Sequence, residues 1–210
     1  SISVSSDVQP FYGACSEGAY MEDGDNLLLT KEGIVPPTDQ ETPIFEPLQG
    51  VYDEEDPGNF PHMMLKEIHD QPTALSNALS GRISADGINS ELSGFDLSPE
   101  QIKKLDRINL VACGTAYYAS EIISSYIRQF TNLRSEAFIA SEFPAKSVCS
   151  KNTLTIGVSQ SGETKDTLDA LFEAKKFGSH ISSICNVIGS TMARLTGNGA
   201  YLHAGPEYAV

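Results

Sequence analysis

Ile108-Asn109-Leu110-Val111-Ala112-Cys113-Gly114-Thr115-Ala116 decides the fold. An apolar run of strand length ends in Cys113-Gly114-Thr115, and a helical pattern follows over 119–130. The same unit recurs at Leu154-Thr155-Ile156-Gly157-Val158. That run closes in Ser159-Gln160-Ser161-Gly162-Glu163-Thr164 and leads into a second helical pattern over 164–177. Further strand-length runs stand at Ala137-Phe138-Ile139-Ala140, at Ile181-Ser182-Ser183-Ile184 and, more weakly, at Ala200-Tyr201-Leu202-His203. Strands that alternate with helices predict a parallel sheet covered on both faces. Short, largely apolar strands fit burial from both sides. The expected fold class is α/β: a parallel five-stranded sheet with flanking helices, preceded by a short β segment and a linker.

Upstream of the sheet the pattern weakens. Met63-Met64-Leu65-Lys66-Glu67-Ile68 opens a helical stretch whose apolar positions, Met64, Ile68, Leu75 and Leu79, share one face. Pro72 predicts a break or a fresh start near its middle. A loop rich in Ser, Gly and Asp separates this stretch from the first strand of the sheet. Residues 36–61 carry Pro36, Pro37, Pro43, Pro47, Pro57 and Pro61 and the run Asp53-Glu54-Glu55-Asp56, which reads as a polar, extended tether. In residues 1–35, Glu22-Asp23-Gly24-Asp25 reads as a turn with a strand on each side. Thirty-five residues do not close a core alone, so the expectation is the last hairpin of a larger domain. The domain division expected is therefore 1–35, 36–61 and 62–210. The start at Ser1 without a methionine reads as a processed or excised piece.

The net charge of −14 is unevenly spread. The first 60 residues hold 13 acids and one base, Lys31, whereas the other 150 hold 15 acids and 13 bases. The acidic segment would repel a polyanion and the balanced part has no basic stripe, so neither nucleic acid nor a membrane surface is an expected partner. No apolar run approaches the ~18 residues of a membrane span, and no secretory leader opens the sequence. Cys15, Cys113, Cys149 and Cys185 lie far apart without a CxxC pair, which fits reduced thiols in a cytoplasmic protein. His62, His69, His180 and His203 are scattered, so no metal site is expected.

In open parallel sheets, ligands bind beyond the carboxyl ends of the strands. The loop Ser159–Thr164 brings three hydroxyls, from Ser159, Ser161 and Thr164, into one strand-to-helix turn, and Gly162 lets backbone come close to a ligand. Unpaired N–H groups and the positive end of the helix dipole favour a phosphate there. Helix capping is the plainer role for any one hydroxyl; three hydroxyls with a glycine favour phosphate. No Gly-Lys-Ser/Thr occurs, so ATP and a Walker loop are not implied. In the other loop, Thr115 is the better donor to a sugar, while Cys113 has no obvious base partner and Cys113-Gly114 reads as a tight turn. Glu163, the only carboxylate in the key loop, reads as a charge that orients a helix start more than as a general base.

The motifs Ala112-Cys113-Gly114-Thr115, Ile139-Ala140-Ser141-Glu142-Phe143 and Ser159-Gln160-Ser161-Gly162-Glu163-Thr164-Lys165-Asp166-Thr167 closely resemble glutamine–fructose-6-phosphate aminotransferases. So do Lys66-Glu67-Ile68-His69-Asp70-Gln71-Pro72 before them and Ile184-Cys185-Asn186-Val187 after them. The resemblance covers nearly all of 62–210, and 4–34 is more loosely similar to the end of that family's glutaminase domain, at Ser6-Asp7 and at the Glu22–Asp25 turn. It implies a sugar isomerase (SIS) lobe of flavodoxin-like topology. It further implies phosphate contacts from Ser159, Gln160, Ser161 and Thr164, and sugar contacts from the Cys113-Gly114-Thr115 loop and the backbone near Val210. The implied ligands are fructose 6-phosphate and glucosamine 6-phosphate, with no cofactor and no metal, in a cytoplasmic homodimer.

Departures qualify what carries over. Ala116 stands where some relatives have Ser, and Phe143-Pro144-Ala145-Lys146 replaces an arginine-containing segment. The sequence stops at Val210, before the family's Ala-Ser-Thr-Lys segment and the second lobe with its catalytic Glu, Lys and His. Cys15 is not placed as the family's nucleophilic cysteine. No catalytic residue is therefore expected here, and the expected role is binding of substrate more than its transformation. The alternative is a non-catalytic SIS module that senses a sugar phosphate and regulates a partner; the glutaminase-like tail and the Lys66–Pro72 segment favour the enzyme.

Overall fold

The computed structural model describes residues 2–4, 15–19, 21, 24–31, 33–36, 43–47, 57–92 and 94–209. The chain divides into two compact units, Ser1–Gly58 and Asn59–Val210. In the first unit, β1 (Glu17–Gly18) pairs antiparallel with β4 (Glu46–Pro47), and β2 (Leu28–Leu29) pairs antiparallel with β3 (Ile34–Val35). The β2–β3 hairpin turns at Thr30–Gly33, where Thr30 N–H and Oγ1 both donate to the Gly33 carbonyl, at 2.8 and 3.0 Å. Strands thus flank the acidic turn expected at Glu22–Asp25 but are not each other's partners. Glu22 and Asp23 themselves lie outside the described residues. β4 falls within the stretch read as a tether, because an extended Pro-containing segment can still present an edge to β1.

The second unit opens with α1 (Met63–Leu79). Its start is set by His62, whose Nδ1 accepts the Leu65 N–H at 3.2 Å. The break expected at Pro72 does not occur. Proline removes one N–H from the ladder, and the helix continues through it for another two turns. The face formed by Met64, Ile68, Leu75 and Leu79 is about half exposed within this unit. The Ser/Gly/Asp-rich stretch read as loop contains a further short helix, α2 (Pro99–Lys104). Ser98 and Gln101 close a reciprocal capping box there, with proline at the start.

Five parallel strands follow: β5 (Arg107–Ala112), β6 (Arg134–Ile139), β7 (Thr153–Ser159), β8 (His180–Cys185) and β9 (Gly199–Tyr201). Their spatial order is β6-β5-β7-β8-β9, which is the flavodoxin-like arrangement. Side chains alternate between two cores. Leu110 and Ala112 of β5, with Leu154, Ile156 and Val158 of β7, pack beneath α3 (Gly114–Phe130) and the segment carrying Phe95, Leu97 and Leu105. Val111, Ile181 and Cys185 pack with Leu168, Leu171 and Ala174 of α5 (Lys165–Lys176), together with Met192 of α6 (Thr191–Thr196). A four-residue helix, α4 (Ala145–Val148), lies between β6 and β7.

Every residue of β7 is buried, as a central strand between two helical layers requires. Leu110 and Leu171 are fully enclosed, and each such side chain is worth about 2–3 kcal/mol in removed apolar surface. Gly157 lets both helices of the second layer settle on β7: a Cβ there would sit 2.6 Å from Leu171 Cδ1 and 2.8 Å from Met192 Sδ. Among the described residues, no helix is long and apolar enough to cross a membrane.

Candidate functional site

The sheet order changes direction at β5. From it the chain goes outward to β6, then returns to β7 on β5's other side and continues to β8 and β9. The carboxyl ends of β5 and β7 are therefore neighbours at the topological switch point, where open sheets of this kind bind ligands. Their register, Val111 beside Gly157 and Ala112 beside Val158, brings the loops after Ala112 and after Ser159 side by side. These are the two loops singled out in the sequence.

Each loop leads directly into a helix whose amino terminus lacks a side-chain cap. Cys113 is the N-cap of α3 and Thr164 the N-cap of α5, and neither side chain bonds to the helix backbone. This removes the plainer role for Thr164, because its Oγ1 instead pairs with Ser159 Oγ at 2.9 Å. Ser159 is buried and its Oγ also accepts the Gly162 N–H at 3.1 Å. Ser161 Oγ accepts the Glu163 N–H at 3.2 Å. The hydroxyls thus organise the turn, and the Thr164 side chain does not cap the start of α5; a helix amino terminus set in such a turn suits an anion. Lys165, the first residue of α5, is ion-paired with Asp169 one turn on and exposed.

The two loops differ in enclosure. Gly114 and Thr115 are exposed and Cys113 is half-buried, whereas Gln160, Ser161 and Thr164 are half-buried and Gly162 is buried. Gly162 has φ +70°, and a Cβ on it would lie 2.2 Å from Ser190 Oγ. Gly114 has φ +57° with open space around it. Ala116 packs against the apolar cluster under α3, so its methyl is part of the core.

Three residues unremarked as ligand contacts in the sequence brace the second loop from the connection after β8. Asn186 N–H donates to the Gln160 carbonyl at 3.0 Å, and Met192 N–H to the Gly162 carbonyl at 3.0 Å. Thr191 N–H donates to Glu163 Oε1 at 2.8 Å. Asn186 also holds the segment after β9, since its side-chain amide donates to Gly205 O at 2.6 Å and its Oδ1 accepts the Ala204 N–H at 2.8 Å. Farther along, Glu67 Oε1 of α1 accepts the backbone N–H groups of Tyr208 at 2.8 Å and Ala209 at 3.1 Å. That segment leads to Val210, which lies outside the described residues. A signal for Asn186 was present in the sequence, because it follows the strand run at Ile181–Ile184 and belongs to the Ile184-Cys185-Asn186-Val187 motif.

The four cysteines are free thiols. Burial pushes the Cys185 thiol above its ordinary value, and Ser190 Oγ lies 3.7 Å from its sulfur. Burial likewise raises Cys149, which stands 3.8 Å from Thr155 Oγ1. Cys185 is buried and Cys149 half-buried, and neither has the lowered pKa that marks a nucleophilic thiol. Among the described residues no group of His, Cys, Asp and Glu is arranged to hold a metal ion.

Comparison with known proteins places this geometry. The SIS domain model matches residues 101–210. The chain is 38% identical to the glutamine–fructose-6-phosphate aminotransferase (isomerizing) of Clostridium acetobutylicum, over 99% of this chain and 34% of that enzyme. It is 42% identical to the enzyme of the same name from Caldanaerobacter subterraneus subsp. tengcongensis, over 73% of this chain and 25% of that one. The chain spans about a third of the length of the first of these relatives. Among solved structures, the C-terminal domain of glucosamine-fructose-6-phosphate aminotransferase from Francisella tularensis superposes with a TM-score of 0.62 at 34% identity, over 72% of this chain and 42% of that one. The resemblance carried by the five sequence segments is thus borne out along nearly the whole chain, and with its parallel sheet and paired strand-end loops the chain belongs to the SIS domain family.

Proposed function

We propose that this chain is the substrate-binding part of an aminotransferase that converts fructose 6-phosphate and glutamine to glucosamine 6-phosphate and glutamate. The observation that carries the reading is the pair of helix amino termini, α3 and α5, that face the switch point without side-chain caps. The phosphate sits on the turn of Ser159, Gln160, Ser161 and Thr164. Backbone N–H groups and neutral hydroxyls hold it there. Cys113, Gly114 and Thr115 meet the sugar through backbone and the Thr115 hydroxyl, and the backbone near Val210 is a further sugar contact in this reading.

Residues 1–35 are the end of a glutaminase-type domain, 36–61 the acidic linker, and 62–210 the first sugar-phosphate lobe. Glu163, the only carboxylate in the phosphate turn, is engaged with Thr191 N–H, so proton transfer and amination belong to other parts of the whole enzyme. The whole protein works in the cytoplasm as a homodimer; the free thiols fit that reducing compartment.

Calorimetric titration of the chain with fructose 6-phosphate, glucosamine 6-phosphate and fructose tests this reading. Both phosphates are expected to bind and the free sugar not to, with binding lost in Ser161→Ala and Thr164→Ala. Equal binding of fructose, or phosphate binding indifferent to both substitutions, contradicts it.

A further inference from the structure

We propose that Glu163 is a positioning residue for the phosphate turn, a role that rests on the phosphate reading above. Its carboxylate acts at α6, as a brace that fixes where the turn's N–H groups stand. A carboxylate inside an anion-binding loop is an electrostatic cost unless its charge is engaged elsewhere. Here Oε1 takes the Thr191 N–H at 2.8 Å, across 28 residues of sequence. Thr191 is the first residue of α6, so its N–H is one that the helix itself leaves unpaired, and it lies at the positive end of the short helix.

The bond belongs to a set. Asn186 N–H to Gln160 O and Met192 N–H to Gly162 O, each at 3.0 Å, tie the same two segments through backbone alone. Those two fix the turn at Gln160 and Gly162. The third, the only one made by a charged group, fixes it at the residue before the α5 N-cap. The close approach of Gly162 to Ser190 keeps the two segments in direct contact between these ties. Glu163 thus sets the entry angle of Thr164 and of the first α5 N–H groups, while its charge is satisfied by α6.

Positioning and electrostatics predict opposite signs, and this makes the idea testable. Removing the charge while keeping the acceptor, Glu163→Gln, should leave fructose 6-phosphate affinity equal to wild type or somewhat higher. Removing the acceptor, Glu163→Ala, should weaken it about 10-fold, the order expected for loss of a charge-assisted hydrogen bond. The donor can be removed separately. Ser190 has φ −58° and ψ 161°, compatible with a following proline, and proline is favoured at the first helical position. Thr191→Pro should therefore weaken binding to a similar degree with α6 intact. The double variant should bind no worse than the weaker single one, because both changes break one bond.

Hydrogen exchange in the unliganded chain supplies a second readout. Amides of Gly162 and Met192 should exchange faster in Glu163→Ala and Thr191→Pro and keep wild-type rates in Glu163→Gln, with the rest of the sheet unchanged. Wild-type affinity in Glu163→Ala, additive losses in the double variant, or failure of Gln to rescue would overturn the proposal while leaving the phosphate site standing. Failure of the wild-type chain to bind fructose 6-phosphate would overturn the phosphate reading and this role with it.

Discussion

The loops after β5 and β7 have the same plan, a parallel strand running through a left-handed glycine into a helix without a side-chain cap. They differ in what surrounds them. The first is exposed, and its glycine at Gly114 has open space where a side chain would go. The second is threaded between β7 and α6, with Gly162 against Ser190 and three hydrogen bonds to the neighbouring connection. In the proposed reading one plan serves two purposes, and the braced loop presents N–H groups at fixed positions for a compact anion. In that reading the open loop takes the larger face of the sugar.

The largest expected contrast comes from the two glycines. Gly162→Ala forces a left-handed alanine and a clash with Ser190, and should cost roughly 2–5 kcal/mol in urea unfolding. Gly114→Ala carries the backbone strain alone, about 1–2 kcal/mol. Equal losses would mean that the two loops are equally free and would remove the distinction.

The hydroxyls give a smaller contrast. Ser159→Ala leaves the Gly162 N–H without its acceptor and should lower stability by about 1–3 kcal/mol. Thr115→Ala, at an exposed position, should stay within about 0.5 kcal/mol of wild type and act on sugar phosphate affinity instead. A destabilised Thr115→Ala would show that the open loop is structural after all.

The smallest effect concerns the thiol beneath the braced loop. Burial raises the Cys185 pKa above 9.0, so the unfolded chain ionises this thiol first as pH rises. Its contribution to stability is whole below about pH 9 and is lost as pH climbs toward the folded-state value. Unfolding midpoints at pH 8 and pH 10 should therefore differ less in Cys185→Ala than in wild type. Cys149, shifted the same way, should retain part of the slope in that variant. An unchanged slope would place the sulfur in a wetter setting than its burial implies.

The strands and the two loops were legible because local pattern suffices for them: apolar runs of strand length, two of them ended by glycine and hydroxyl residues. The capping box at Ser98-Pro99-Glu100-Gln101 was equally legible as a helix start, yet it was absorbed into a stretch read as loop. Pro72 misled because a lost N–H weakens a helix without ending it. The acidic turn read at Glu22–Asp25 includes Glu22 and Asp23, which lie outside the described residues; the β2–β3 turn at Thr30–Gly33, which the threonine hydroxyl closes, was not singled out. The bond from Thr191 to Glu163 was beyond local pattern. It depends on β8 lying beside β7, which only the assembled sheet brings about.

The most direct test of the account is a two-dimensional amide correlation spectrum of the isotope-labelled chain, recorded as fructose 6-phosphate is added. Uncapped helix starts that bind the phosphate predict shifts concentrated on the amides of Ser161–Thr167. A smaller set should appear at Gly114–Ala116, and the first unit should stay silent. Shifts concentrated away from both strand-end loops would place the ligand elsewhere and contradict it.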